Sequence, residues 1–456
     1  MARLDTAIAA LEAGLSGRLV RPGDADYDAA RTLIYGGFDK RPALIVQART
    51  AADVAAAVNA ARTAGLALAV RSGGHSAAGH SLNEGGLVID LRDMSHIVID
   101  AAARTATVEA GATAAAVSAA ATAEGLVVGF GDTGTVGVSG ITLGGGVGFL
   151  VRKWGLTIDS LLGAEIVTAD GRLRRASATE EPDLFWALRG GGGNFGVVTS
   201  FTFALQELPA FTGGLLCLPA TVGTIAGFAA AAEAAPDELS TIASVMPAPP
   251  LPFLPEALHG RLVILAFLAY AGPDAAATAA IAPFRALATP YADFVKPGPY
   301  MQMYPPEDGD YHPTAVAHTM FMDTIGTREA TTIIDTLTAS SAVFRVVQFR
   351  VLGGAAARIA PDATAYAHRA SRIMVNVAAF YTSPRDKTVQ QRWVDAFGAS
   401  LRQTDPGCYV NFLGLESDAR VRAAYPGATW ERLARIKRAV DPDNLFRGNQ
   451  NIVPAP

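Results

Sequence analysis

Cysteine is nearly absent from this chain: 456 residues hold two, Cys217 and Cys408, far apart in sequence. Two distant thiols build neither a disulfide framework nor a zinc site, so no metal is expected. A basic stripe is also missing. Lys and Arg total 37 against 42 Asp and Glu, a net charge of −5, which speaks against a nucleic-acid partner. Long apolar runs are lacking too. The longest, Leu262 to Ala271, is too short to cross a bilayer and reads as a buried strand. No charged start leads into an unbroken apolar stretch, so no secretory signal is read and a cytoplasmic protein without membrane partner is expected. No repeat of fixed period is visible.

What is present is apolar residue, at 50%, and glycine, at 46 positions. The length suits two or three domains. Residues 41–205 are dense in glycine and short β-branched runs, among them Ala43–Val46, Leu66–Arg71, Gly86–Leu91 and Ala164–Ala169. Ala51–Gly65 carries Ala and Val at helical spacing behind Thr50, a capping residue. Strand, helix and strand in about thirty residues is a βαβ pattern, and Asp170-Gly171 reads as a hairpin turn. An α+β nucleotide-binding domain with several small sheets is expected over residues 1–206. From Glu207-Leu208-Pro209 the pattern changes to wide-spaced strands and helices. Expected strands include Leu239–Met246, Arg261–Tyr270, Val316–Met322, Ala342–Leu352 and Arg372–Tyr381. Residues 207–405 thus form a second domain, one broad sheet with helices on a single face and the other face free to cover something. Residues 406–456 return to glycine and asparagine and rejoin the first domain.

Three glycine clusters carry the chemistry. The first is Arg71-Ser72-Gly73-Gly74-His75-Ser76-Ala77-Ala78-Gly79-His80-Ser81. Two glycines after a β-run offer consecutive N–H groups to a pyrophosphate, with Ser72, Ser76 and Ser81 as hydroxyl donors and Arg71 as a source of charge. The second runs from Gly131 to Gly148 and includes Thr135, Val136, Gly137, Gly140, Leu143, Gly144 and Gly145. Eight glycines in these eighteen residues cost much entropy unless a flat, rigid ligand lies against the backbone. The third, Arg189 to Val198, includes Gly196 and leads into a strand. Three such clusters in one domain point to a large cofactor in extended form.

These segments, with Tyr409-Val410-Asn411 and Asn444-Leu445-Phe446-Arg447-Gly448-Asn449-Gln450-Asn451-Ile452, resemble the FAD-linked oxidases of the vanillyl-alcohol oxidase superfamily, specifically the berberine-bridge-enzyme-like branch. The match spans nearly the whole chain. It implies a PCMH-type FAD-binding domain of two small subdomains plus a substrate domain with a large antiparallel sheet. It also implies FAD bonded through the imidazole of His75 to the 8α-methyl of the flavin, with His80 as a hydrogen-bonding neighbour. Relatives with a second bond use a cysteine where this chain has Thr133, so a single bond is expected. Val136 falls where family oxidases keep a small aliphatic residue, favouring dioxygen as acceptor and hydrogen peroxide as product. Asn449 and Asn451 resemble amides that meet the flavin edge.

Oxidation of a CH–OH or CH–NH group needs hydride transfer to flavin N5 and a base for the remaining proton. Tyr409 matches the family base. A free tyrosine is too weakly acidic at neutral pH, and a nearby cation lowers its pKa. By period-two alternation Gln348 and Arg350 share one face of the strand Phe344–Leu352. The resemblance puts that face over the flavin ring, where sugar-oxidising relatives carry an acid in place of Arg350. Arg350 is expected to stabilise the Tyr409 phenolate or to pair with a substrate anion. The expected partners are therefore a small apolar or aromatic substrate and dioxygen, with the protein a monomer or homodimer.

Overall fold

The computed structural model describes residues 2–306, 309 and 311–456, so the first residue of the expected 1–206 unit lies outside it. Local signals build the first half. Thr50 accepts the Asp53 N–H and the Asp53 carboxylate takes the Thr50 N–H, a capping box that starts the helix Ala51–Ala64. Gly65, at φ 66°, ends it. Val54, Ala57, Val58 and Ala61 turn inward at helical spacing and are fully buried.

Among the described residues two small sheets result, with a two-stranded ribbon of Leu126–Val127 and Gln206–Glu207 beside them. The first holds β1 (Arg18–Val20), β2 (Leu44–Gln47), β3 (Leu68–Arg71) and β4 (Leu87–Asp90), in the order β1-β2-β4-β3. β2 and β3 both run parallel to β4, and β1 lies antiparallel on β2. The second combines β5 (Ile97–Asp100), β6 (Thr105–Glu109), β7 (Leu161–Val167), β8 (Leu173–Ser177) and β9 (Val197–Ala204), in the order β5-β6-β9-β7-β8. Gly171, at φ 77°, forms the turn between β7 and β8.

The second half is an antiparallel sheet of eight strands. Its long members are β10 (Phe211–Pro219), β11 (Leu239–Pro247), β12 (Leu262–Ala271), β13 (Ala315–Met322), β14 (Phe344–Val351) and β15 (Ile373–Phe380), in the order β10-β12-β11-β14-β15-β13. Alternation decides its two faces. Val347, Phe349 and Val351 of β14 and Val375 and Val377 of β15 are buried in one core. Helices Val222–Ala234, Asp274–Arg285, Thr327–Ala339 and Pro384–Leu401 supply Phe228, Phe284, Ile333 and Phe397 to it. Burying each such side chain is worth about 2–3 kcal/mol, enough to fix the register of every strand. The opposite residues, Gln348 and Arg350 with them, face the glycine-rich half. Helix Ala428–Val440 and the tail after it pack on that same half, through Leu433, Ile436 and Phe446.

No described helix is long and apolar enough to cross a membrane. Among the described residues no group of three or more His, Cys, Asp or Glu is placed to hold a metal ion.

Candidate active site

A cavity of about 990 Å³ opens between the two small sheets, the free face of the large sheet and the C-terminal segment. All three glycine clusters reach it. The first two touch each other: a Cβ on Gly73 would stand 2.3 Å from the Gly137 nitrogen, and one on Gly137 would stand 2.1 Å from Ser72 Oγ. Only glycine allows this approach, which lays two turns of backbone side by side along the cavity. Ser72 Oγ donates to the Ala110 carbonyl at 2.7 Å and anchors the pair. Across the seam, Thr135 Oγ1 lies 3.0 Å from His75 Nε2.

The third cluster closes the far side. Gly190 and Gly192 both donate to the Leu143 carbonyl, at 3.1 and 2.9 Å. Asn194, buried, holds the C-terminal segment by donating to Gln450 O at 3.2 Å and accepting from Ile452 N at 2.9 Å. Asn449 Nδ2 donates to Gly193 O at 3.0 Å. Beneath them Lys437 and Asp441 form an ion pair of 2.7 Å with neither side chain exposed. Lys437 Nζ also donates to Asn194 O and Phe446 O, so one buried cation ties the glycine cluster to the tail. Burial lowers the pKa of this lysine and the Asp441 carboxylate opposes the shift.

Ser72, Gly73, Gly74, His75, Ser76, His80, Ser81, Val136, Gly137, Gly140, Leu143, Gly196, Val198, Gln348, Arg350, Tyr409, Asn411 and Asn449 all line the cavity. Six expected residues do not. Arg71 is the clearest correction: its guanidinium is buried and donates to the carbonyls of Ala30 and Thr32, which fixes the chain ahead of β2. Thr135 is exposed and reaches the cavity only through its contact with His75. Gly144 packs on the Asn411 amide, Gly145 on Tyr366 and Gly148 on the Phe130 carbonyl, each too close for a side chain. Asn451 keeps a buried Oδ1 without a partner, off the cavity wall.

The donor set fits an extended dinucleotide. Flat glycine backbone lines one side, Gly140 and Gly193 have open space where a side chain would stand, and His80 Nε2 and Asn449 Oδ1 are buried without partners among the described residues. Burial, then the nearby Lys40 charge, lowers the His80 pKa to about 4, so its ring is neutral at physiological pH. Cys217 and Cys408 are buried and free and are not among the residues lining the cavity, whereas Thr133 stands on its wall.

Tyr409 and Arg350 meet at the boundary between the halves. The Tyr409 oxygen accepts the Gly146 N–H at 3.0 Å and Asn411 Nδ2 at 2.9 Å. Gly145 and Gly146, at φ 127° and 82°, aim that N–H. Arg350 does not bond Tyr409. Its Nη2 donates to Asp132 at 2.6 Å and to Gln348 Oε1 at 2.8 Å, and its guanidinium lies 4.9 Å over the Phe412 ring. A nearby cation does act on the Tyr409 pKa, but it does not bring it down on balance. Arg350 pulls it down, as do the two N–H donors, but burial is the largest influence and the net shift is upward. Two site residues escaped the sequence reading. Asp132 sits inside a glycine run that already had an explanation, and Asn194 in another.

A family model described as an FAD binding domain matches residues 42–177, and one described as "Berberine and berberine like" matches residues 408–453. An uncharacterized FAD-linked oxidoreductase of Bacillus subtilis is 33% identical over 454 residues, 96% of this chain and 97% of the relative. Xylooligosaccharide oxidase of Thermothelomyces thermophilus is 30% identical over 452 residues, 91% and 88% of the two chains. The crystal structure of 6-hydroxy-D-nicotine oxidase from Arthrobacter nicotinovorans superposes with a TM-score of 0.85 at 28% identity, covering 97% of this chain and 99% of that one.

Proposed function

Because the chain belongs to the berberine-bridge-enzyme-like FAD-linked oxidoreductases, we propose that it is an oxidase whose FAD is bonded to it once, through His75, and whose substrate is a small apolar or aromatic molecule bearing a CH–OH or CH–NH group. The observation that carries this reading is the His75 imidazole on the cavity wall, with the Thr135 hydroxyl at its Nε2. The hydroxyl can donate to or accept from that nitrogen, so it holds the ring in place in either tautomer, and neutral imidazole is the nucleophilic form.

When bound, FAD takes the electron pair and dioxygen carries it away as hydrogen peroxide. The chain's own residues do the rest. The glycine loops and the C-terminal segment exclude water from the ring site. Tyr409 takes the hydroxyl or amine proton once its own has left, and the Gly146 and Asn411 N–H groups stabilise the resulting oxygen anion. Val136 keeps the wall small, which favours access of dioxygen. Val346, Ala378, Phe380 and Ala317 give the sheet face an apolar stretch beside Gln348 and Arg350, which supports an apolar or aromatic substrate. The xylooligosaccharide oxidase among the relatives favours a sugar as the second reading. Anaerobic bleaching of the flavin across secondary alcohols, phenols, cyclic amines and sugars separates the two. Peroxide released on readmission of air tests the oxidase assignment, and reoxidation too slow to follow turnover would mark a dehydrogenase.

A further inference from the structure

Asp132 belongs to the glycine-rich half, yet it bonds to the large sheet. Its Oδ2 accepts from Arg350 Nη2 at 2.6 Å, whereas Oδ1 has no hydrogen-bond partner among the described residues. The Arg350 side chain is 5% exposed and that of Asp132 26%, so the carboxylate is the more open half of a pair whose members both line the cavity. Phe412 covers the guanidinium from one side, and Gln348, itself bonded to Ser244, takes another of its contacts. Burial, and after it the charge of Asp132, raises the pKa of the Tyr35 phenol on the same wall. Elsewhere on the wall Glu416 lies 3.6 Å from Arg420 and His318 3.1 Å from Asp395, while Lys387 makes no ion pair among the described residues.

We propose that Asp132 is the substrate-anchoring residue: its free oxygen accepts an N–H, ammonium or O–H donor of the substrate, and its pairing with Arg350 excludes carboxylates. This rests on the oxidase reading and deepens it, since it names a neutral or cationic substrate. It also narrows one of the two roles expected of Arg350, because a guanidinium paired with a carboxylate forms an ion pair of no net charge, which draws an anion less strongly. The anchored donor is a different one from the proton that Tyr409 removes. A buried cation stripped of its partner costs several kcal/mol, so loss of the Asp132 charge leaves Arg350 seeking an anion.

Benzamidinium, benzamide and benzoate have nearly one shape and differ in charge, and none is readily oxidised. The FAD-loaded protein is titrated with each, and the flavin absorbance reports binding. In the wild type benzamidinium should bind at least about tenfold tighter than benzoate, with benzamide between them. Asp132→Asn should weaken benzamidinium about tenfold or more and strengthen benzoate, reversing the order. Arg350→Gln should keep the preference for benzamidinium, and this arm decides the matter if the first variant does not fold. Benzoate binding tighter than benzamidinium in the wild type, an unchanged order in Asp132→Asn, a reversed order in Arg350→Gln, or no response to benzamidinium each overturns the proposal. Flavin that proves to be non-covalent sinks the His75 reading and leaves this titration fully readable.

Discussion

The Thr135 hydroxyl lies 3.0 Å from His75 Nε2, across a seam where Gly73 and Gly137 press backbone on backbone. The contact joins residues sixty positions apart. It puts the Thr135 hydroxyl within hydrogen-bond reach of the His75 ring.

Thr135→Val keeps the shape and removes the hydroxyl. Purified under identical conditions, this variant should release a larger fraction of its flavin on acid precipitation than the wild type does. Losing one hydrogen bond of about 1 kcal/mol corresponds to a several-fold slower attachment. An unchanged bound fraction at early times would remove Thr135 from the account.

Tyr409 gives a pH prediction whose sign is fixed. Burial holds its pKa above the usual 10 of tyrosine, so the phenolate needed to accept a proton is scarce at neutral pH and grows as pH rises. Flavin bleaching by substrate should therefore accelerate with pH and reach no plateau below 10. Arg350→Leu removes a charge that lowers this pKa, so the alkaline limb should move higher and the rate at fixed pH should fall by about tenfold for each unit moved. Stopped-flow reduction across pH reads both. A profile identical to the wild type would exclude any action of Arg350 on Tyr409.

Much of this arrangement is legible in the sequence because it is local. The alternation that sends Val347 and Phe349 to the helices also sends Gln348 and Arg350 to the cavity, and Thr50 and Gly65 mark the ends of one helix unaided. Contacts between distant segments are a different matter. Arg71 follows a strand and precedes two glycines, which looks like a phosphate ligand, yet its guanidinium is taken by carbonyls some forty residues earlier. Asp132 is invisible for the converse reason. Its meaning depends on Arg350, 218 residues on, and no spacing rule links them.

Lys437 offers a test of stability at a residue that is not itself on the cavity wall. Lys437→Met strands the Asp441 carboxylate in a fully buried place, which costs about 3–5 kcal/mol. The midpoint of urea unfolding should drop with an unchanged slope. Retention of the wild-type midpoint would show that the pair is dispensable.

The two thiols should be silent in the native protein. Burial pushes both Cys217 and Cys408 up to about 11, so the reactive thiolate is rare at neutral pH and out of reach. A thiol reagent should count none in buffer and two in denaturant. A fast-reacting native thiol would contradict their placement.

The central claim is one covalent bond between His75 and FAD, and acid precipitation of the holoenzyme followed by mass spectrometry of its peptides tests it most directly. The account predicts that the yellow colour stays with the protein, that the flavin mass sits on the peptide containing His75 alone, and that His75→Ala releases the colour to the supernatant. Flavin freed by acid from the wild type, or found on any other residue, would contradict it.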